Sequence, residues 1–77
     1  MERSEMNDLK QLLGAWQATK NVQTNMGGVV FRIPKGSIVA AKQADNEYRK
    51  VLIEAGPSFV DWKGETWLER NGFEPCA

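Results

Sequence analysis

Ser37-Ile38-Val39-Ala40-Ala41-Lys42-Gln43-Ala44-Asp45-Asn46-Glu47-Tyr48-Arg49-Lys50-Val51-Leu52-Ile53-Glu54-Ala55 is the stretch on which the fold turns, because it satisfies two periodicities at once. Wound as a helix capped by Ser37, it gathers Ile38, Ala41, Tyr48, Leu52 and Ala55 on one face, with Asp45 as the polar intruder. Extended, Ser37–Gln43 and Tyr48–Glu54 become strands joined by a turn at Ala44-Asp45-Asn46-Glu47, where Asp and Asn side chains bond their own backbone. The run Val51-Leu52-Ile53 is apolar on both faces, which suits a strand sandwiched in a small barrel. We read this stretch as a hairpin; the alternative architecture is two helices plus a β-hairpin.

Upstream, Val29–Ile33 is β-branched and aromatic, bounded by Gly27-Gly28 before and Pro34-Lys35-Gly36 after, the profile of a short strand that ends in a turn. The polar segment Asn21–Gly28 has no period and reads as a loop. Between Ser4 and Lys20, Met6, Leu9, Leu13 and Trp16 recur at helical spacing, with Leu12 and Ala15 widening the stripe. Ser4 as cap, Glu5 and Asp8 in the first turn and Lys20 in the last complete an amphipathic helix, with Gly14 its one misfit. Downstream of Gly56-Pro57, the segments Phe59–Trp62 and Glu65–Leu68 flank Lys63-Gly64, a two-residue hairpin connection that would face Val60 to Trp67 and Phe59 to Leu68. A short helix over Glu65–Asn71, stopped by Gly72 and anchored by Trp67, is the other reading there.

Ile33-Pro34-Lys35-Gly36-Ser37-Ile38-Val39, the two central strands, and Val60-Asp61-Trp62-Lys63-Gly64-Glu65-Thr66-Trp67 together resemble the strand and turn grammar of small bacterial Src-homology-3-like (SH3-like) barrels. The resemblance spans Val29 to Phe73 and implies architecture alone, since such folds host many unrelated functions. The expected fold class is α+β: an N-terminal amphipathic helix followed by a small antiparallel β-barrel or sheet. It forms a single domain over residues 1–77, with helix 4–20, loop 21–28, β-rich body 29–73 and tail 74–77.

Composition narrows the function. The chain has 77 residues, ten basic and ten acidic, with no His and one Cys. A domain this small buries only about 60% of the surface its unfolded chain exposes, which leaves little room for a large cleft. Without His and with Cys76 alone, nitrogen and thiolate metal sites cannot be assembled and no disulfide framework exists. No catalytic spacing is recognisable among Ser, Asp, Glu and Lys, so the chain reads as a non-enzyme that needs no cofactor. Cys76 has no basic neighbour in sequence and reads as an inert thiol. The polar N-terminus lacks a secretory pattern, and the longest apolar runs are far short of a bilayer span; a soluble, cytoplasmic protein without membrane contact is expected.

Two surfaces stand out. Seven ring-bearing residues, Trp16, Phe31, Tyr48, Phe59, Trp62, Trp67 and Phe73, outnumber the interior places a small core offers. Exposed Trp beside Tyr or Phe is the usual anchor of a protein interface, so Trp62, Phe59 and Tyr48 are the candidate partner-binding residues. The second surface is electrostatic. Lys20 to Lys50 holds six bases against two acids, +4, whereas Glu54 onward holds two bases against five acids, −3. Arg32, Lys35, Lys42, Arg49 and Lys50 are therefore the candidate nucleic-acid contacts, although the acidic end would repel the same polyanion.

The leading expectation is a non-enzymatic protein-binding module that acts by occupying a partner's surface, of the size of a phage or mobile-element accessory or inhibitory protein. The alternatives are a small DNA- or RNA-binding regulator using segment 20–50, dimerising through Leu9, Leu13 and Trp16, and a homo-oligomeric structural subunit.

Overall fold

The computed structural model describes residues 8–76. The chain is mostly β. A single 3-10 turn at Leu9–Leu12 precedes β1 (Gly14–Ala18), β2 (Val22–Met26), β3 (Val29–Ile33), β4 (Ile38–Asp45), β5 (Lys50–Gly56) and β6 (Phe59–Gly64); a one-turn helix α1 (Trp67–Arg70) and β7 (Phe73–Pro75) follow. Five strands make one antiparallel sheet in the order β6-β5-β4-β1-β7, and β2 and β3 form a separate hairpin.

The decisive stretch is the hairpin, but its turn lies at 46–49 rather than 44–47, so Ala44 and Asp45 belong to β4 and Tyr48 to the turn instead of a strand. β4 and β5 pair from Ala40↔Glu54 to Asp45↔Lys50, with a bulge between Ala41 and Gln43. Asp45 closes the turn by accepting the amides of Glu47 and Tyr48, and Arg49 enters β5 at φ +56. Val39 and Ala41 of β4 and Val51 and Ile53 of β5 alternate inward, and Ile53 is 0% exposed. Burying an aliphatic side chain to that degree stabilises by about 1.5–3 kcal/mol.

The N-terminal helix over 4–20 is a misreading for the residues described; Ser4, Glu5 and Met6 lie outside them. Leu9 does head a helical turn, capped by Asp8, whose carboxylate accepts the Lys10 amide at 2.9 Å. Gly14 then takes φ +126, a conformation closed to a helix, and the chain runs on as β1. From there the true period is two: Trp16 and Ala18 are buried while Ala15 and Gln17 face out. β1 lies between β4 and β7 (Trp16↔Val39, Trp16↔Pro75), and the hydrogen bonds of two neighbours outweigh local helix propensity. The α+β class with an N-terminal helix is thus replaced by an antiparallel β fold.

Two smaller readings also change. The loop 21–28 is largely β2, whose Val22 and Met26 are buried with polar residues between them; an apolar spacing of four hid the alternation. The Lys63-Gly64 hairpin does not form. β6 runs straight through it and pairs with β5 (Leu52↔Trp62, Lys50↔Gly64), so the Val60–Trp67 and Phe59–Leu68 pairs are absent. Thr66 to Arg70 coils instead, burying Leu68, and Gly72 at φ +80 ends the turn as the helical alternative required. The tail returns: Phe73↔Ala18 and Glu74↔Gln17 add β7 to the sheet, and the Cys76 amide donates to the Ala15 carbonyl at 2.9 Å.

The core lies between the sheet and three covering pieces. The β2–β3 hairpin contributes Val22, Met26 and Ile33, the 3-10 turn Leu9 and α1 Leu68, while Phe73 comes from the sheet's own edge strand β7. This is the architecture of a small β-barrel or sheet.

Candidate functional site

Each side of the five-stranded sheet is set by the alternation of its strands. One side faces the core. The other carries Ile38, Leu52, Val60 and Trp62, all exposed or half-buried, with Ala40 and Gln43 between them. Register places Gln43, Leu52 and Trp62 in one cross-strand row and Ala40, Glu54 and Val60 in the next. Trp62 is 40% exposed and Tyr48 is 69% exposed. The two line one open depression of about 250 Å³ together with Asp45 and Lys50. Trp62 and Tyr48, 14 positions apart in sequence, therefore share a surface, Tyr48 from the β4–β5 turn and Trp62 from β6 paired to β5.

Phe59 does not belong to this surface. Its ring stacks on Phe31 of the covering hairpin, centroids 4.4 Å apart, on the opposite side of β6. Trp67 stacks on Phe73 at 5.3 Å, and the Lys63 ammonium lies 5.4 Å from the Trp67 ring centroid. Trp16 is 4% exposed and its indole N–H donates to the Leu12 carbonyl at 2.8 Å. Of the three indoles, Trp16 is buried, Trp67 half-buried and Trp62 exposed. Leu9 and Trp16 are both interior, so Leu9, Leu13 and Trp16 do not form a common outer face.

The candidate nucleic-acid residues are dispersed. Lys42 pairs with Glu54 at 3.7 Å, and Arg49 holds Glu65 through two hydrogen bonds of 2.6 and 3.2 Å. Lys50 sits opposite Asp45 in the β4–β5 register. Arg32 and Lys35 lie elsewhere, on β3 and in the turn after it, where the Lys35 amide is held by the Asn21 side chain. The basic segment thus splits between cations set against acids (Lys42, Arg49, Lys50) and Arg32 and Lys35 elsewhere, rather than forming one stripe.

Three carboxylates tie the covering pieces to the sheet, and each titrates below its ordinary range. For Asp8 the cause is the Lys10 amide, with the Asn46 amide second; Asn46 also accepts the Leu9 amide at 2.9 Å and so clamps the 3-10 turn to the β4–β5 loop. For Glu65 the cause is the hydrogen bond from the Arg49 guanidinium. For Asp61 burial pushes upward, but the Gly27 and Trp62 amides with the Lys63 ammonium outweigh it. These are structural ties. Each accepts from a named donor, and Asp8 and Glu65 also line an open depression of about 220 Å³ with Arg49 and Glu69.

Among the described residues no group of His, Cys, Asp and Glu could hold a metal ion, and no helix is long and apolar enough to cross a membrane. Cys76 is an exposed free thiol. The exposed outer-face aliphatics Ile38 and Val60 are not among the residues the sequence singles out; their signal is apolar residues at both parities of the strand pattern, as in Val51-Leu52-Ile53. Comparison with known proteins returns no matching family model, no matching curated protein and no matching solved structure.

Proposed function

We propose that the chain is a non-enzymatic protein-binding module whose contact surface is the outer face of β4, β5 and β6, centred on Trp62 and Tyr48. The observation that carries this reading is the exposed indole and phenol lining one depression, set beside Leu52 and Val60 on a sheet face that nothing in the chain covers among the described residues. Rigid aromatic side chains on a sheet lose little entropy when covered, and a few such residues carry most of an interface's binding energy. Asp45 and Lys50 supply a polar rim of both signs, which sets orientation more than affinity. The module acts by occupying its partner's surface.

We further propose that the fold is an SH3-like barrel. The reading is supported by the five-stranded antiparallel sheet with its β4–β5–β6 meander, by the hairpin that covers one side, and by the one-turn helix leading into a short closing strand.

The test is co-precipitation from a lysate of the cell that makes the protein, using the wild type, Trp62→Ala and Tyr48→Ala at low and high salt. The expected result is a bound protein that survives salt and is lost on Trp62→Ala, a hot-spot truncation costing on the order of 2 kcal/mol, about thirtyfold in affinity. An identical bound set on all three proteins overturns the reading. Retardation of DNA or RNA with a steep salt slope would overturn it in favour of the nucleic-acid regulator.

A further inference from the structure

The β2–β3 hairpin has two long edges, and the fold covers one of them. Gly27 and Gly28, at φ +63 and +89, close it as a type I′ turn, so Met26 and Val29 are a hydrogen-bonded pair. Alternation along an antiparallel ladder then bonds Thr24 to Phe31 and Val22 to Ile33. The peptide groups of Gln23 and Asn25 on β2, and of Val30 and Arg32 on β3, point away from the hairpin. On the β2 side they meet β6: the Lys63 ammonium donates to the Asn25 carbonyl, and Gly27 lies against the Val60 carbonyl. On the β3 side no strand runs alongside among the described residues. Val30, 65% exposed, is the most exposed of the large aliphatic side chains there.

Charge distinguishes this edge further. From Lys20 to Gly36 the chain holds Lys20, Arg32 and Lys35 and no acid. Arg32 makes no ion pair with a described residue. It stands on the rim of an open depression of about 500 Å³ at the hairpin base, above the buried Val22 and Ile33. We infer that the β3 edge binds an extended acidic segment of a partner protein, added as an antiparallel strand whose carboxylate pairs with Arg32.

The backbone groups of Val30 and Arg32 supply the affinity common to strand addition, and the side chains supply selectivity. An acid in the segment faces Arg32, and two residues later an apolar side chain faces Val30; an apolar neighbour of the acid takes the depression over Val22 and Ile33. A second copy of β3 fits the geometry less well. Antiparallel pairing about Phe31 sets Val30 opposite Arg32, yet it gathers two Arg32 and two Lys35 in a region without acids. This edge is distinct from the Trp62 face and does not depend on it.

The test uses the full chain with nitrogen-15 label and a blocked seven-residue peptide, threonine-valine-glutamate-valine-valine-valine-threonine, which sets its acid and, two residues later, a valine on one face; the same peptide with lysine for glutamate is the control. At saturation the Val30 and Arg32 amides are expected to exchange on the order of tenfold more slowly while those of Gln23 and Asn25 do not change. The glutamate peptide should bind about tenfold tighter than the lysine peptide, as reversal of cross-strand charge implies. Arg32→Glu should reverse that preference, and Val30→Pro, which removes an outward amide that β2 does not use, should abolish binding. Trp62→Ala should leave all of this unchanged, so failure here is separable from failure of the outer-face reading. Equal affinity for both peptides, protection elsewhere, or loss of binding on Trp62→Ala would overturn the inference. So would concentration-dependent protection of Val30 and Arg32 without peptide, which would identify the occupant as a second copy.

Discussion

The two sides of the five-stranded sheet carry nearly the same chemistry and have different fates. On the covered side Trp16, Val39, Val51 and Ile53 vanish under the hairpin, the 3-10 turn and α1. On the outer side Ile38, Leu52, Val60 and Trp62 repeat the theme of aliphatics around an indole, and solvent reaches them. The fold accounts for the first set completely and for the second not at all. The difference teaches that apolar residues here answer two demands. One is internal cohesion and the other, on the function proposed above, is contact with a partner.

Replacing each indole in turn sharpens that contrast most. Trp16→Ala opens a void beneath the sheet and strands the Leu12 carbonyl, an expected loss of about 3–5 kcal/mol. In a domain of this size that approaches the whole folding free energy, so thermal melting should show a population unfolded near room temperature. Trp62→Ala removes contact on one side alone and should cost about 1–2 kcal/mol by area, with far-ultraviolet circular dichroism unchanged. Equal losses at the two positions would mean that the outer face also holds the fold together.

The next effect concerns how the cover is aimed. Gly27 and Gly28 both sit at positive φ, where alanine costs about 1–2 kcal/mol. A Cβ at Gly27 would also approach the Val60 carbonyl to 3.2 Å, whereas one at Gly28 would meet open space. Gly27→Ala should therefore lower the denaturation midpoint more than Gly28→Ala. The reverse order would show that the hairpin tip does not rest on β6.

Legibility followed the same division. The β3–β4–β5 succession was readable because Val29–Ile33, Pro34-Lys35-Gly36 and the Asp45-Asn46 turn mark strand and turn without tertiary help. β1 was not. Leu9, Leu13 and Trp16 keep helical spacing although Leu9 belongs to a separate turn and Trp16 to a strand, and only pairing with β4 and β7, remote in sequence, decides it. β2 escaped for a related reason: Val22 and Met26, four apart, mimic a helical pair while the outward residues between them are polar. Counting rings against a small core implies that some ring reaches solvent, and the structure leaves Trp62 and Tyr48 there beside one depression. Phe59 was misplaced because parity along β6 assigns its side, and parity could not be fixed while Lys63-Gly64 was taken for a turn.

Acid offers the gentlest way to separate the two sides. Asp8, Asp61 and Glu65 sit where the 3-10 turn, the hairpin tip and the α1 approach are fastened to the sheet, and all three titrate below their ordinary range. A carboxylate with a depressed folded value adds stability that is fully present above its unfolded value and is lost as pH falls through the folded one. The loss should therefore be absent at neutral pH, set in as pH falls to the ordinary carboxylate value of about 4, and continue below it. Since Arg49–Glu65 and Asp8–Asn46 bridge exposed groups, salt should mute the effect. Amide exchange between pH 5 and 3 should show Leu9 and the hairpin tip opening before Ile53, which lies in the middle of the sheet. Glu65→Gln should bring a share of that opening to neutral pH. If β5 and β6 open first instead, the fastenings are not what holds the cover down, and the buried faces of Val22, Met26 and Ile33 must do so by packing alone.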